Sequence, residues 1–273
     1  MLFGKNRITN IPKKGIFAKL FDEMVKLLRQ FRCGLLYKSR RSFHMKLNEL
    51  QIVGRRCRMF NFDEYMVVFP NAKINIGLFV TGKRPDGFHN LETVFYPIEL
   101  RDILEITEIK GERGSCVFTS TGIPIDCPPE KNLVSKAYAI LADEFDLPSV
   151  DVHLHKMIPY GAGLGGGSAD AAFMLVGLNQ LFSLGLNEER LTGYAARVGS
   201  DCPFFVLNRP VFAFGKGELM ETIDVSLRGY HVVLVKPDRG VATPEAYRGI
   251  TPRAASFDLR ELGKLPVEQW NGV

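Results

Sequence analysis

The stretch Pro159-Tyr-Gly-Ala-Gly-Leu-Gly-Gly-Gly-Ser-Ala-Asp170 places five glycines between Gly161 and Gly167. Upstream of it, apolar and polar residues alternate over 150–155, which predicts a half-buried strand. Downstream of it, apolar residues recur at helical spacing as far as a stop signal at Gly185. The sequence therefore predicts a strand, a glycine loop and a helix in direct succession.

This order of elements suits the binding of a phosphate group. Glycine admits positive φ angles and lets the backbone come close to a ligand. The start of a helix supplies unpaired N–H groups and a partial positive charge. We expect Ser168 to cap the helix and to face the anion. A purely structural turn is the alternative, but five ordered glycines carry a large entropic cost.

Two well-known phosphate loops do not fit the surrounding sequence. Gly161, Gly163 and Gly166 satisfy the pattern G-x-G-x-x-G, which needs a second strand about 20 residues on. The segment after Asn187 instead predicts a second helix, with Asn187 as its N-cap. A Walker loop is excluded because no lysine precedes Ser168.

Composition limits the class of protein. A length of 273 residues suggests one large or two modest domains, and 46% hydrophobic residues is ordinary for a globular protein. No apolar run approaches the roughly 20 residues of a membrane span, and the N-terminus lacks a secretory signal. We expect reduced thiols and a cytoplasmic location, because five cysteines without metal-type spacing are present: Cys33, Cys57, Cys116, Cys127 and Cys202.

Positive charge is concentrated at the start of the chain. Residues 1–65 carry 15 Lys/Arg and 5 Asp/Glu, which leaves 20 basic and 25 acidic residues in the remainder. The segment could be a basic arm for RNA or membrane, a transit peptide, or a passenger upstream of a true start at Met66, which we favour. We expect 1–65 to be a poorly ordered extension, followed by domains over 66–220 and 221–273.

Candidate catalytic residues lie on other predicted elements. A strand within 67–80 directs Ile74, Ile76, Leu78 and Val80 to one face, and Lys73 and Asn75 to the other. The stretch Ser200-Asp-Cys-Pro-Phe-Phe205 places the carboxylate of Asp201 at a tight turn beside an expected apolar strand. Further predicted elements are a turn at 84–87, a helix over 132–145, a hairpin over 211–220, a buried strand at 231–235 and a short helix from 243.

Together these residues could support phosphoryl transfer. That reaction needs held phosphates, neutralised charge, and a hydroxyl that is aligned and deprotonated. The loop would hold the phosphates, Lys73 would neutralise charge, and Asp201 would act as the base. Taken singly, Lys73 could lie on a solvated strand face, Asp201 could be a cap, and His89 could be a surface residue.

Four segments in this order resemble the GHMP kinase superfamily: Pro70–Leu78, Arg84–Leu91, Pro159–Asp170 and Gly199–Phe205. Arg84-Pro-Asp-Gly-Phe-His89 resembles most specifically the branch that phosphorylates a cytidyl methylerythritol in the non-mevalonate route to isoprenoid precursors. The resemblance implies an α+β, two-domain fold. Its N-terminal domain would be ribosomal-protein-S5-domain-2-like, and its ferredoxin-like C-terminal domain would be incomplete here.

The resemblance also implies a role for each matching position. Lys73 and Asp201 match the catalytic pair, and Asn75 would lie near the substrate hydroxyl. The substrate's cytidine would be held by Phe88, His89 and Tyr247. ATP, with Mg²⁺ on its phosphates, would bind Asn132, Lys156 and the loop residues Pro159, Tyr160, Gly161, Ala162, Gly163, Leu164, Gly165, Gly166, Gly167, Ser168 and Ala169.

The chain departs from the superfamily in two places. Residues 1–65 have no counterpart, and the chain stops before a third glycine-rich motif, so we expect poor activity. We expect a monomer or weak homodimer that binds no membrane, and a folded part that binds no nucleic acid. Two other functions stay open: a kinase for homoserine, mevalonate or a sugar, and an inactive nucleotide-binding fragment.

Overall fold

The computed structural model describes residues 59–62, 65–236, 243–247 and 249–271. Four sequence features therefore lie outside the described residues: the amphipathic segment Phe17–Phe31, the arginine pairs at 40–41 and 55–56, and Cys33 with Cys57. The remaining cysteines, Cys116, Cys127 and Cys202, are free thiols, as expected.

Nine strands and five α-helices form the secondary structure of the described residues. The strands are β1 Met59–Phe62, β2 Tyr65–Val68, β3 Asn71–Lys83, β4 His89–Arg101, β5 Ile103–Arg113, β6 Cys116–Gly122, β7 Pro148–Lys156, β8 Val211–Gly215 and β9 Leu219–Thr222. The helices are α1 Leu133–Phe145, α2 Gly166–Leu181, α3 Glu188–Val198, α4 Cys202–Leu207 and α5 Thr243–Tyr247. None of these helices is long and apolar enough to cross a bilayer.

The first sheet has the order β1-β2-β5-β7-β6. Its strands pair antiparallel except β6 and β7, which are parallel because α1 forms the crossover between them. Strand β1 pairs with β2 from Met59 to Phe62, within the segment that precedes Met66. The strand predicted over 150–155 is the centre of β7, which leads directly into the glycine loop.

The second sheet is antiparallel, with the order β3-β4-β8-β9. Strand β3 carries Lys73 and Asn75 on one face, as predicted. The predicted apolar face of the same strand is interrupted, because the register with β4 shifts between Ile76 and Leu78. Leu78 is consequently 49% exposed. The bulge therefore overrides simple alternation in the strand that carries the candidate lysine.

Helices α1 and α3 begin where the sequence predicts. Asn132 and Asn187 lie at the N-caps of α1 and α3, and each side chain accepts a hydrogen bond from a backbone N–H of the first turn. Helix α2 is almost wholly buried in the main core, which it shares with the inner face of the first sheet. Phe204 of α4 packs edge-on against Phe95 of β4, with ring centroids 5.4 Å apart, and so joins the helices to the second sheet.

Two expected strands are absent from the structure at their predicted positions. Residues 202–207 form helix α4, because Pro203 occupies the first turn, where a missing N–H has no cost. Residues 231–236 have no regular structure and lie exposed, with Val233 at 82% and Val235 at 84%. Their apolar composition predicts a buried strand, but none of the described strands pairs with them.

Two helical glycines provide a matched test of the packing of α2. A side chain on Gly177 would enter the core, since its Cβ would lie 2.6 Å from Ile106 Cδ1. Gly193 of α3 is exposed, and its Cβ would meet no atom within 4 Å. We expect Gly177→Leu to lower the free energy of unfolding by about 2 kcal/mol or more through overpacking. We expect Gly193→Leu to raise it by about 0.5–1 kcal/mol, because leucine has the higher helix propensity.

Urea unfolding of both variants and the unsubstituted protein measures the difference. Equal effects of the two substitutions, or a stabilising Gly177→Leu, would contradict the packing of α2 on the first sheet.

Candidate active site

The glycine loop connects β7 to α2 and presents open backbone. Gly161, Gly163 and Gly165 have φ angles of +66°, +71° and +68°, which other residues rarely adopt. A Cβ on Gly161 or Gly163 would meet no atom within 4 Å, so the backbone there is accessible. Tyr160 is 77% exposed at the start of the loop. The loop therefore has the conformation and the access that a phosphate group requires.

Gly165 lies where the loop meets the rest of the site. It is the N-cap residue of α2 and provides no side-chain cap, so the first N–H groups of this 16-residue helix can meet an anion. Ser168 does not cap the helix as expected, because α2 begins at Gly166 and Ser168 already lies in its first turn. The Ser168 hydroxyl instead contacts the Cys202 thiol, whose pKa burial raises to about 11.

Lys73 lies directly against this loop. Its backbone N–H donates to the carbonyl oxygen of Leu164 at 2.9 Å, which ties β3 to the loop. Its Cγ lies 3.2 Å from the position that a Cβ on Gly165 would take. Its Nζ donates to Asn75 Oδ1 at 2.7 Å and lies 4.8 Å from the centre of the Phe95 ring. The lysine is only 7% exposed, so its ammonium is held rather than solvated.

Asp201 immediately precedes α4, whose Phe205 packs against Gly165 of the loop. It takes the N-cap position, yet its side chain accepts no capping hydrogen bond from the helix. The carboxylate is close enough to Lys73 to affect its pKa. Burial lowers the pKa of Lys73, and the negative charge of Asp201 opposes part of that decrease. The charge of Asp201 therefore acts on Lys73, and the carboxylate makes no capping hydrogen bond to α4. A catalytic role of the two residues stays a prediction.

Two of the three residues expected to hold cytidine lie in contact. The rings of His89 and Tyr247 stack with centroids 5.4 Å apart and an interplanar angle of 21°. Burial and the charge of Asp201 raise the pKa of Tyr247, which places the stacked pair near the candidate base. Phe88 is 60% exposed, and Lys216 Nζ lies 5.1 Å from the centre of its ring.

Lys156 lies beneath the loop, in a buried cluster of three ionisable groups. Its Nζ donates to Asp102 at 2.5 Å and to Asp170 at 2.7 Å. The second oxygen of Asp102 accepts from the backbone N–H groups of Met157 and Ile158. A Cβ on Gly166 would lie 2.9 Å from Lys156 Nζ, so the cluster supports the start of α2. Contact of Lys156 with a nucleotide stays a prediction.

Asn132 also has a structural role that the prediction did not include. Its Oδ1 accepts from the backbone N–H of Val134 at 2.9 Å and thereby caps α1. The next residue, Leu133, lies 3.8 Å from the Cβ position of Gly167, so the start of α1 is adjacent to the loop. A role of Asn132 in nucleotide binding stays a prediction.

Sequence reasoning missed three buried polar residues: Thr93, Asp102 and Asp170. Asp170 ends the quoted glycine stretch, and an acidic residue on the apolar face of a predicted helix was the available signal. Among the described residues, no group of three or more His, Cys, Asp or Glu is arranged to hold a metal. Two surface cavities, beside Arg113 and Arg260, lie away from the loop.

Comparison with known proteins places this site in a family. Residues 132–209 match the family model described as GHMP kinases N terminal domain. The chain is 54% identical over 205 residues to the 4-diphosphocytidyl-2-C-methyl-D-erythritol kinase of Parabacteroides distasonis, covering 75% of this chain and 74% of that protein. The chain belongs to the 4-diphosphocytidyl-2-C-methyl-D-erythritol kinase family.

Two further comparisons agree with this membership. The protein of the same name from Bacteroides thetaiotaomicron is 50% identical over 208 residues, covering 76% of each chain. A crystal structure of 4-(cytidine 5'-diphospho)-2C-methyl-D-erythritol kinase is 32% identical with a TM-score of 0.51, and the match covers 62% of this chain and 61% of that one. The expected GHMP kinase fold is therefore confirmed, and the chain spans about three fifths of the solved relative.

The cluster around Lys156 predicts how the free energy of unfolding changes with pH. Burial raises the pKa of Asp170 well above its ordinary value of 3.8. The Lys156 ammonium opposes part of that rise, and the negative charge of Asp102 adds to it. As pH rises above that ordinary value, the unfolded state loses the proton while the folded state retains it. The wild-type free energy of unfolding therefore falls, and we expect Asp170→Asn, which has no such proton, to become relatively more stable.

Urea unfolding at a series of pH values measures the stability difference between Asp170→Asn and wild type. Asp143→Asn, an exposed substitution on α1, is the control and should show no such trend. The proton on Asp170 would be contradicted if the difference in free energy of unfolding stayed constant with pH. It would also be contradicted if Asp170→Asn became relatively less stable as pH rose.

Proposed function

We propose that this chain catalyses ATP-dependent phosphorylation of the 2-hydroxyl of 4-diphosphocytidyl-2-C-methyl-D-erythritol, a step in isoprenoid precursor biosynthesis. The observation that carries the proposal is the packing of Lys73 and of Phe205, four residues after Asp201, against Gly165 of the glycine loop. The negative charge of Asp201 acts on the pKa of Lys73 at this point. Family membership at 54% identity supports the choice of substrate.

Asp201 is the proposed base. In the reaction, the carboxylate accepts the proton of the substrate hydroxyl while the oxygen attacks the γ-phosphorus of ATP. The bond from that phosphorus to the bridging oxygen breaks, and ADP leaves with the electron pair. Asp201 makes no capping hydrogen bond, and its Oδ1 accepts a long hydrogen bond from the Ser200 hydroxyl at 3.4 Å. The absence of a cap supports the role, because the carboxylate can still accept from a substrate hydroxyl.

Lys73 is proposed to stabilise the charge that accumulates on the transferred phosphoryl group. A donor fixed in a poorly solvated site is more effective than one in water, and Lys73 is 7% exposed. Its hydrogen bond to Asn75 and its contact with Phe95 hold the ammonium in place before substrate arrives. Asn75 is proposed to lie beside the reacting hydroxyl.

Residues 159–169 are proposed to hold the phosphates of ATP. The uncapped N-terminus of α2 and the open backbone at Gly161 and Gly163 support this assignment. Mg²⁺ would arrive on the phosphates and neutralise part of their charge. Asn132, at the start of the adjacent α1, and Lys156, beneath the loop, are proposed to complete the nucleotide site.

Phe88, His89 and Tyr247 are proposed to recognise the cytidine. The stack of His89 on Tyr247 provides a flat aromatic surface, and Phe88 is exposed at the end of the same turn. An aromatic surface of this kind favours a nucleobase over homoserine or mevalonate, neither of which has a ring to stack. A cytoplasmic location and a monomeric or weakly dimeric state remain predictions.

Asp201→Asn tests the proposed base. The amide retains the shape of the carboxylate but cannot accept the proton, so we expect the turnover rate to fall by about 10²–10⁴-fold. Binding of a fluorescent ATP analogue should persist, because the loop is unchanged. Asp143→Asn, the same substitution at an exposed carboxylate of α1, is the matched control and should retain turnover within about threefold.

An end-point assay with γ-labelled ATP and a high enzyme concentration detects even a slow reaction. The cytidyl substrate should become labelled, and homoserine and mevalonate should not. Equal labelling of homoserine would contradict the substrate assignment, and undiminished labelling by Asp201→Asn would contradict the base.

A further inference from the structure

Thr93 is a fully buried polar residue of β4, directly opposite the strand that carries Lys73. Its hydroxyl donates to the carbonyl oxygen of Gly77 at 2.6 Å. The hydroxyl oxygen of Thr93, Oγ1, accepts a hydrogen bond from Asn75 Nδ2 at 3.0 Å. Thr93 has no role in the proposed phosphoryl transfer, although its hydroxyl contacts Asn75, which in turn contacts Lys73.

The chemistry of these groups gives the contacts a fixed direction. A carbonyl oxygen only accepts, so the single hydroxyl proton of Thr93 is committed to Gly77. Thr93 Oγ1 can then only accept from Asn75, which must turn its NH₂ group toward Thr93. The oxygen of Asn75 consequently faces Lys73 and accepts from its Nζ at 2.7 Å.

The free carbonyl of Gly77 originates in the bulge of β3. In the pairing of β3 with β4, Ile76 lies opposite Val94 and Leu78 opposite Thr93, so Gly77 has no partner in the register. Its φ of +67° suits glycine, and a Cβ there would lie 2.7 Å from Leu259 Cδ2. The bulge thus turns the carbonyl oxygen of Gly77 toward Thr93. In an unbroken sheet ladder, this oxygen would instead accept from a backbone N–H of the neighbouring strand.

We propose that Thr93 is a positioning residue for phosphoryl transfer, whose hydroxyl orients the Asn75 amide and thereby directs Lys73 Nζ within the site. The proposal rests on the proposed function for its effect on rate. Without the hydroxyl, the amide can rotate and present its NH₂ to the lysine, which also donates. Lys73 would then lose its acceptor and with it the fixed direction of its charge.

Two substitutions separate this role from simple packing. Thr93→Val retains the shape of the side chain and removes the hydroxyl, whereas Thr93→Ser retains the hydroxyl and removes a methyl group. We expect Thr93→Val to lower kcat about tenfold, with KM for both substrates unchanged within about twofold. Thr93→Ser should restore kcat to within about threefold of wild type. A packing role predicts the reverse order, because serine leaves the larger cavity.

A double-substitution cycle tests whether Thr93 acts through Asn75. Adding Thr93→Val to Asn75→Ala should lower kcat no further than Asn75→Ala alone. Independent, multiplicative effects of the two substitutions would overturn the proposal. So would a Thr93→Val variant with wild-type kcat.

A second measurement does not depend on turnover. In ¹⁵N spectra of the intact protein, the side-chain NH₂ resonances of Asn75 should shift in Thr93→Val and return toward their wild-type position in Thr93→Ser. Unchanged resonances in Thr93→Val would overturn the orientation of the amide. If wild type transferred no phosphate while these resonances responded as expected, the proposed function would fail and the orientation of Asn75 by Thr93 would stand.

Discussion

The close approach of the glycine loop to β3 and α4 is the constraint on which the site depends. Gly165 can adopt its φ of +68° and lie against Phe205 and Lys73 because it has no side chain. The backbone hydrogen bond from Lys73 to Leu164 then fixes the distance between strand and loop. A Cβ at this position would lie 2.6 Å from Phe205 Cζ, so either the loop or α4, which follows Asp201, would have to move.

Burial determines the electrostatics around this contact. Lys73 loses solvation on one side of the loop, and its pKa falls despite the neighbouring Asp201. Beneath the loop, Lys156 is shared by two carboxylates, and the pKa of Asp170 rises. Buried charges cost free energy unless they are paired and hydrogen-bonded. Lys73 is held by its hydrogen bond to Asn75, and Lys156 by its ion pairs with Asp102 and Asp170. These contacts fix the positions of the charges before substrate binds, although burying them lowers the stability of the fold.

The sequence predicted local features better than distant contacts. The caps at Asn132 and Asn187 depend on neighbouring residues, and the shared face of Lys73 and Asn75 depends only on strand alternation. The bulge after Ile76 escaped prediction because one unpaired residue leaves little trace in composition. The apolar segment over 231–235 was assigned to a strand, but strand formation requires a partner that composition does not specify. The ion cluster of Lys156 joins residues distant in sequence, which periodicity cannot bring together.

The pKa of Lys73 tests the central claim, that Lys73 and Asp201 share the mouth of the loop, most directly. Titration of the ¹³Cε resonance of Lys73 in wild type and in Asp201→Asn measures it. The negative charge of Asp201 raises the pKa of Lys73 in the folded protein, so the variant should titrate at lower pH. The control Asp143→Asn, on the exposed face of α1, should leave the value unchanged. An identical pKa of Lys73 in wild type and in Asp201→Asn would contradict the account.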